Sequence, residues 1–269
     1  GAQSGSHIYI ADGVYWLANS TVTGMMLGNI SGGNFSQVKL EFAPNAEFRA
    51  PDAWTGTMLK LYDCLHCEVD GGWFREPGTP ERLWTGISLE SNKPIGCQLN
   101  TIRRTKITSA GVGVELLNSS GSGNQGFINA NVIEDLNIHG SNIAVNFNQA
   151  ATFTAGVNSM NRNKFTNVLW EASFTSGMSG GFVGVIGRAN SFVECTAYDL
   201  PRSGQSSCTI TSGATDTMIV GGIMTLDNFK DQGQRTKVID PFRGYRDVCP
   251  KPSDRQYGAI RSAGSSPVG

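Results

Sequence analysis

Six short segments of this chain repeat one spacing, and that repetition limits the possible folds more than any other feature. The clearest copy is Asn100-Thr-Ile102-Arg-Arg-Thr105-Lys-Ile107. Segments beginning at Asn131, Asn163, Asn190 and Asp216 follow the same pattern, and one beginning at Cys67 precedes it with the first position altered. The starts at 67, 100, 131, 163, 190 and 216 are separated by 33, 31, 32, 27 and 26 residues. With the first residue counted as position zero, positions two and seven are apolar and position five is small or apolar. Apolar residues alternate by two, and their parity then shifts between positions two and five. That shift places a bend between two short strands. No helical period is present. One such unit cannot bury its apolar face alone, whereas stacked units enclose a continuous interior, which is how a solenoid is built.

The asparagines add a second argument. Asn enters the left-handed backbone region more readily than other non-glycine residues. Asn100, Asn131, Asn163 and Asn190 at one repeat position would stack about 4.8 Å apart, the spacing between paired strands. Their amides would then hydrogen-bond up the stack. Four unrelated turn asparagines would not share a register with the apolar columns.

Composition removes several function classes. Charged residues are 16% of the 269, against about 25% in typical domains, and the net charge is -1. A basic nucleic-acid binder needs clustered positive charge, so no nucleic-acid partner is expected. No stretch approaches the roughly 18 apolar residues of a membrane span. With 39% hydrophobic residues and 34 glycines, the chain reads as one large all-β domain and not as a disordered segment. The N-terminus shows neither a basic stretch nor an apolar core of a signal peptide. Sequons at Asn19, Asn29, Asn34 and Asn118 point to an extracellular setting.

Two further rungs are legible near the start. His7-Ile-Tyr-Ile-Ala-Asp-Gly13-Val-Tyr15 reads as an opening strand and a Gly-x-Tyr turn, and Val38-Lys-Leu40-Glu-Phe42-Ala-Pro-Asn-Ala46-Glu-Phe48 as the next rung. Together with Asn163-Lys-Phe165 and Asn190-Ser-Phe192, these segments resemble the right-handed parallel β-helix of the pectin-lyase-like superfamily. That superfamily includes pectate lyases, polygalacturonases and bacteriophage tailspikes. The resemblance covers roughly residues 6 to 240 and implies the fold, a single-stranded all-β solenoid, without implying an activity. The polygalacturonase motifs Asn-Thr-Asp, Asp-Asp, Gly-His-Gly and Arg-Ile-Lys do not occur, and no calcium-binding Asp/Arg set of pectate lyases is recognisable. The family therefore supplies no catalytic residue. Tailspike depolymerases place their carboxylates individually, so enzyme activity stays open.

On this reading residues 1–240 form the β-helix domain. The first 50 or so act as an N-terminal cap, and the regular coil runs from about 60 to 228. Residues 241–269 form an irregular tail packing on the helix or on a neighbouring subunit.

Stacking converts sequence columns into surface rows. Position eight gives Arg75, Thr108, His139, Glu171, Tyr198 and Met224; position six gives Trp73, Lys106, Asn137, Leu169, Thr196 and Gly222. His139, Glu171 and Tyr198 would stand on successive rungs, and an imidazole, a carboxylate and a phenol can act as acid and base on a sugar chain. They are the candidate catalytic residues. Trp73 and Tyr198 offer stacking faces, and Trp73, Arg75, Lys106 and Asn137 are the candidate substrate-binding residues. An ordinary solvated face would carry similar residue types.

A second group, Asp70, Arg103, Arg104, Glu134, Asp135, Asn167 and Glu194, falls in positions three and four. It reads as an ion ladder, each exposed pair contributing about 0–1 kcal/mol. Glu134 and Asp135 could instead be a glycosidase pair if the bend turned them together. Cys64 and Cys97 both lie three residues before a repeat start, close enough on stacked rungs for a disulfide. Cys195 falls in the inward column at position five, and Cys208 and Cys249 could join the tail to the last rungs or stay free. Cys64-Leu-His66-Cys67 lacks a second pair at zinc spacing, so no metal is expected, and no cofactor motif is present.

The expected function is an extracellular protein that binds and cleaves a polysaccharide, either a tailspike-like depolymerase or a secreted lyase or hydrolase. The alternative is a structural or adhesive β-helix of a virion or cell surface. A homotrimer is compatible with the outward apolar residues Leu169 and Met224.

Overall fold

In a computed structural model the structure describes residues 4–18, 23–28, 35–76, 83–93, 96–119, 126–149, 159–171, 180–198, 206–222 and 229–239. Among the described residues the strands form four parallel sheets whose neighbours come from successive turns of a solenoid. Sheet A has nine strands, from His7–Ile10 to Lys237–Ile239. Sheet B has seven, from Gly13–Trp16 to Thr196–Tyr198. Sheet C has eight, from Thr23–Gly28 to Phe229–Asp231, and sheet D has four short ones, from Phe35–Ser36 to Ile128–Asn129. No helix occurs among the described residues.

The apolar columns build the core. Val69, Ile102, Ile133, Phe165 and Phe192 at position two are in register and fully buried. Position seven supplies Phe74, Ile107, Ile138 and Trp170, also fully buried. Sheet C closes the interior with Leu59, Ile87, Val114, Val145 and Phe182. Phe165 and Phe192 stack with ring centroids 5.1 Å apart, a geometry that stabilises beyond the area buried.

The four asparagines stand one above another. The Nδ2 of Asn100 donates to Oδ1 of Asn131 at 3.0 Å, that of Asn131 to Asn163 at 3.0 Å, and that of Asn163 to Asn190 at 3.2 Å. Each Oδ1 also accepts a backbone N–H from the preceding turn, beginning with Cys67 N–H on Asn100 at 2.9 Å. The asparagines are not the left-handed residues, however. Those are the residues just before them, Leu99, Ala130, Arg162 and Ala189, with φ between 55° and 57°. A second left-handed column, Arg104, Asp135, Asn167 and Glu194, makes the bend at position four. Asn is favoured at position zero because its amide pairs with a backbone N–H that the bend leaves without a strand partner.

Two expectations need correction. The last copy is displaced by one residue. Ser191 pairs with Met218 and Phe192 with Ile219, so position zero is Thr217, not Asp216. Asp216-Thr-Met imitates Asn-x-apolar, but Met218 faces solvent and Ile219 packs inside. Gly222 therefore leaves the outward row and lies beside Cys195, its N–H donating to Glu194. Second, Cys64 and Cys97 do stack, but their sulfurs are 3.9 Å apart in non-bonded contact, and both are free thiols. A disulfide requires about 2.05 Å. The rungs read near the start are present, with His7–Ile10 and Gly13–Trp16 pairing with Lys39–Phe42 and Ala46–Arg49. Asn118 is fully buried with its Nδ2 donating to the Gly126 carbonyl at 3.0 Å, so it is no glycan acceptor in the folded chain. Asn19, Asn29, Asn34, Met224, Cys249 and the tail 241–269 lie outside the described residues.

Candidate functional site

The outward face of sheet B is the one that the sequence columns single out. In its strands Phe48, Phe74, Ile107, Ile138 and Trp170 are turned into the core, so the residues on either side of each point outward, although Glu47 is buried beneath its neighbours. Two files result. One runs Val14, Glu47, Trp73, Lys106, Asn137, Leu169, Thr196. The other runs Trp16, Arg49, Arg75, Thr108, His139, Glu171, Tyr198. From Trp73 to Thr196 and from Arg75 to Tyr198 the register matches the rows expected from the repeat.

At the fifth and sixth rungs of this sheet, His139 Nε2 lies 3.5 Å from Glu171 Oε1, and both side chains are about half exposed. The ring is within reach of both solvent and a carboxylate that can fix its orientation and tautomer. Tyr198 follows Glu171 in the strand ladder; its side chain lies outside the described residues. Asn137 is exposed on the same strand as His139.

Toward the N-terminal end of the face the side chains form a connected cluster. Arg49 Nε donates to Glu47 Oε1 at 2.6 Å, and Arg75 Nε lies 3.5 Å from the same oxygen. The bond from Arg49 holds the Glu47 carboxyl below its ordinary range, against the opposing effect of burial. The Arg75 guanidinium sits 5.1 Å from the centroid of the Trp73 ring, and the Lys106 ammonium 4.4 Å. Trp73 Nε1 donates to Thr108 Oγ1 at 3.1 Å. Arg49 in turn lies 5.2 Å from the Trp16 centroid. Each of these is a cation–π contact.

Trp73 is thus less of a bare platform than its column position suggests, because two cations already share its π density. Trp16, Arg49 and Glu47 were missed in the sequence. The signal was present: carrying positions six and eight back through Ala46–Arg49 and Gly13–Trp16 reaches all three residues.

The second candidate group resolves as an ion cluster on sheet A. Arg104 Nε donates to Asp70 Oδ1 at 2.7 Å, Arg103 Nε to Asp70 Oδ2 at 3.2 Å, and Arg103 also reaches Glu68. Glu134 and Asp135 do not converge. Glu134 lies on the outer strand face, whereas Asp135 sits in the bend and accepts from Asn167 Nδ2 at 2.8 Å. The buried thiols of Cys64 and Cys67 are separated from the exposed His66 between them. Among the described residues, no group of three or more His, Cys, Asp or Glu is placed to hold a metal ion. Burial pushes the Cys195 thiol up to about 12 and that of Cys208 higher still, which suits core residues and not nucleophiles.

No protein family matches the chain, and no curated protein matches it. Among solved structures, the alginate lyase from Paenibacillus sp. str. FPU-7 is similar over 86% of this chain and 93% of its own, at 14% identity and a TM-score of 0.41.

Proposed function

We propose that this solenoid binds a polysaccharide along the outer face of sheet B and cleaves it by β-elimination. The observation that carries the reading is the His139–Glu171 pair, 3.5 Å apart. It stands in the same outward file as Arg75 and one strand beyond Lys106. Hydrolysis by two carboxylates needs them about 5–9.5 Å apart. The described carboxylates of this face are Glu171 and Glu47. They are four strands apart, or about 19 Å at the usual strand spacing, and Glu47 is occupied by two arginines. An imidazole steered by one carboxylate suits proton abstraction better.

In this scheme the substrate is a uronate polymer. His139 takes the C5 proton, the C4–C5 double bond forms, and the C4–O bond to the next sugar breaks. Tyr198 gives a proton to the departing oxygen. Lys106 faces the uronate carboxylate, while Arg75 and Asn137 bind neighbouring hydroxyl or carboxylate groups. Glu171 is a positioning residue for the ring.

The resemblance to the pectin-lyase-like superfamily supports an extracellular setting, either as a secreted lyase or as a tailspike depolymerase. A homotrimer suits the tailspike form and a monomer the secreted one, and light scattering separates them. The reaction is tested by incubating the protein with alginate, polygalacturonate and bacterial capsular polysaccharides while following unsaturated uronides by absorbance. Release is expected from at least one polymer and is lost in His139→Ala and strongly reduced in Glu171→Ala. Retention of a polymer without cleavage would favour the adhesive alternative. No release and no retention across the panel would overturn the proposal.

A further inference from the structure

We infer that Trp16 and Arg49 form a distal sugar subsite on the same face, so that the ligand is an extended glycan lying along the solenoid axis across five rungs of sheet B. This inference rests on the polysaccharide reading above and adds the direction and minimum length of the bound chain.

Three observations carry it. Trp16 is 59% exposed although it is a large aromatic residue, and it opens the file that contains Arg49, Arg75, Thr108 and His139. Its ring is not loose. Arg49 lies over it at 5.2 Å, and Arg49 is itself held by Glu47 at 2.6 Å. A ring oriented before the ligand arrives loses little freedom on binding. Finally, Arg49 is the single cation over Trp16 among the described residues, whereas Trp73 is shared by Arg75 and Lys106. With 59% of Trp16 exposed, indole surface that Arg49 does not cover is open to the flat C–H face of a pyranose.

Exposed aromatic residues are common and carry no meaning singly. Tyr9 is 61% exposed, but it stands on sheet A, outside this file. Tyr15 beside Trp16 is less exposed, at 36%, and its ring is stacked on Phe48 at 4.8 Å. Trp16 differs from both in being held by an ion-paired cation and aligned with the reactive pair. Four strand spacings separate it from His139, or about 19 Å. A sugar repeat in an extended glycan is comparable to one strand spacing, so a chain reaching from His139 to Trp16 spans roughly five sugars. Arg49 would present its planar donor fork to a hydroxyl pair or carboxylate on the distal sugar.

The experiment measures calorimetric binding of trimers and octamers of oligoguluronate, oligomannuronate and oligogalacturonate to the cleavage-deficient His139→Ala parent, and to Trp16→Ala, Trp16→Phe and Tyr9→Ala made in that parent, so that no oligomer is consumed. Thermal melts confirm that each variant is folded. The expected result is that Trp16→Ala weakens octamer binding by roughly three- to tenfold, that Trp16→Phe weakens it less, and that trimer binding stays unchanged. Tyr9→Ala should match the parent throughout. Octamer binding that is unchanged in a folded Trp16→Ala, while the parent binds, overturns the distal subsite and leaves the polysaccharide reading intact. Equal losses for trimer and octamer also overturn it, since the effect is then not distal. A folded parent and a wild type that both retain neither length overturn the polysaccharide reading and this inference with it.

Discussion

Replacing Asn131 by Ala removes a central step of the amide ladder. The side chain is fully buried and takes part in four hydrogen bonds. Its Oδ1 accepts from the backbone N–H and the Nδ2 of Asn100, both at 3.0 Å. Its Nδ2 donates to the Cys97 carbonyl and to Asn163 Oδ1, also at 3.0 Å. Asn100 Nδ2 and Asn163 Oδ1 keep other partners, at the Cys64 carbonyl and the Asn131 N–H. The Asn100 N–H is left alone in a dry interior. At about 1 kcal/mol net for each of the other three bonds and about 1–3 kcal/mol for the orphaned donor, the loss comes to about 4–6 kcal/mol. Urea unfolding followed by far-UV circular dichroism reads this as a lower midpoint at an unchanged slope. Asn137→Ala, on an exposed strand position, is the matched control and should stay within about 0.5 kcal/mol of wild type. A loss below about 1 kcal/mol for Asn131→Ala, or one equal to the control, would refute the claim that the ladder holds the stacked turns together.

Three other expectations follow from the same structure. Burial alone would raise the Asp70 carboxyl, but Arg104 and Arg103 overcome it and hold the carboxyl below its ordinary range. A depressed folded-state pKa contributes stability above the unfolded value near 3.9 and loses it as pH falls through the folded value. Melting temperature should therefore drop below about pH 4, and Asp70→Asn should flatten that acid limb. Cys64, Cys67, Cys97, Cys195 and Cys208 are buried free thiols, so iodoacetamide mapped by mass spectrometry should label them only after denaturation; labelling in the native state would contradict the packing. Presented already folded to an oligosaccharyltransferase in vitro, Asn118 should stay without glycan on peptide mapping, because its amide is bonded inside the fold.

Much of the candidate site was legible because it is a matter of columns. Trp73, Lys106 and Asn137 share position six, Arg75, His139 and Glu171 share position eight, and the ladder pairs them as the spacing implies. The misaligned last copy shows where that legibility fails. Asp216 carries the local look of the repeat, but the choice between Met218 and Ile219 for the interior is made by packing against Phe192. The missing disulfide is a similar case. Equal offsets place Cys64 and Cys97 on adjacent turns, yet a fixed strand spacing does not fix the distance between sulfurs, which depends on side-chain rotamers.

The linear order of residues settled that this chain stacks, which positions line the interior and which files face solvent. Alternation by two and a recurring interval are one-dimensional facts, and in a solenoid they map directly onto rows in space. Only the tertiary structure decided the partners: Arg103 and Arg104 converging on Asp70, two cations sharing Trp73, and Glu47 bracing Arg49 over Trp16. Long side chains on one rung can reach several others. Which contact forms depends on charge, rotamer and burial at that level of the stack, and none of these repeats with the sequence.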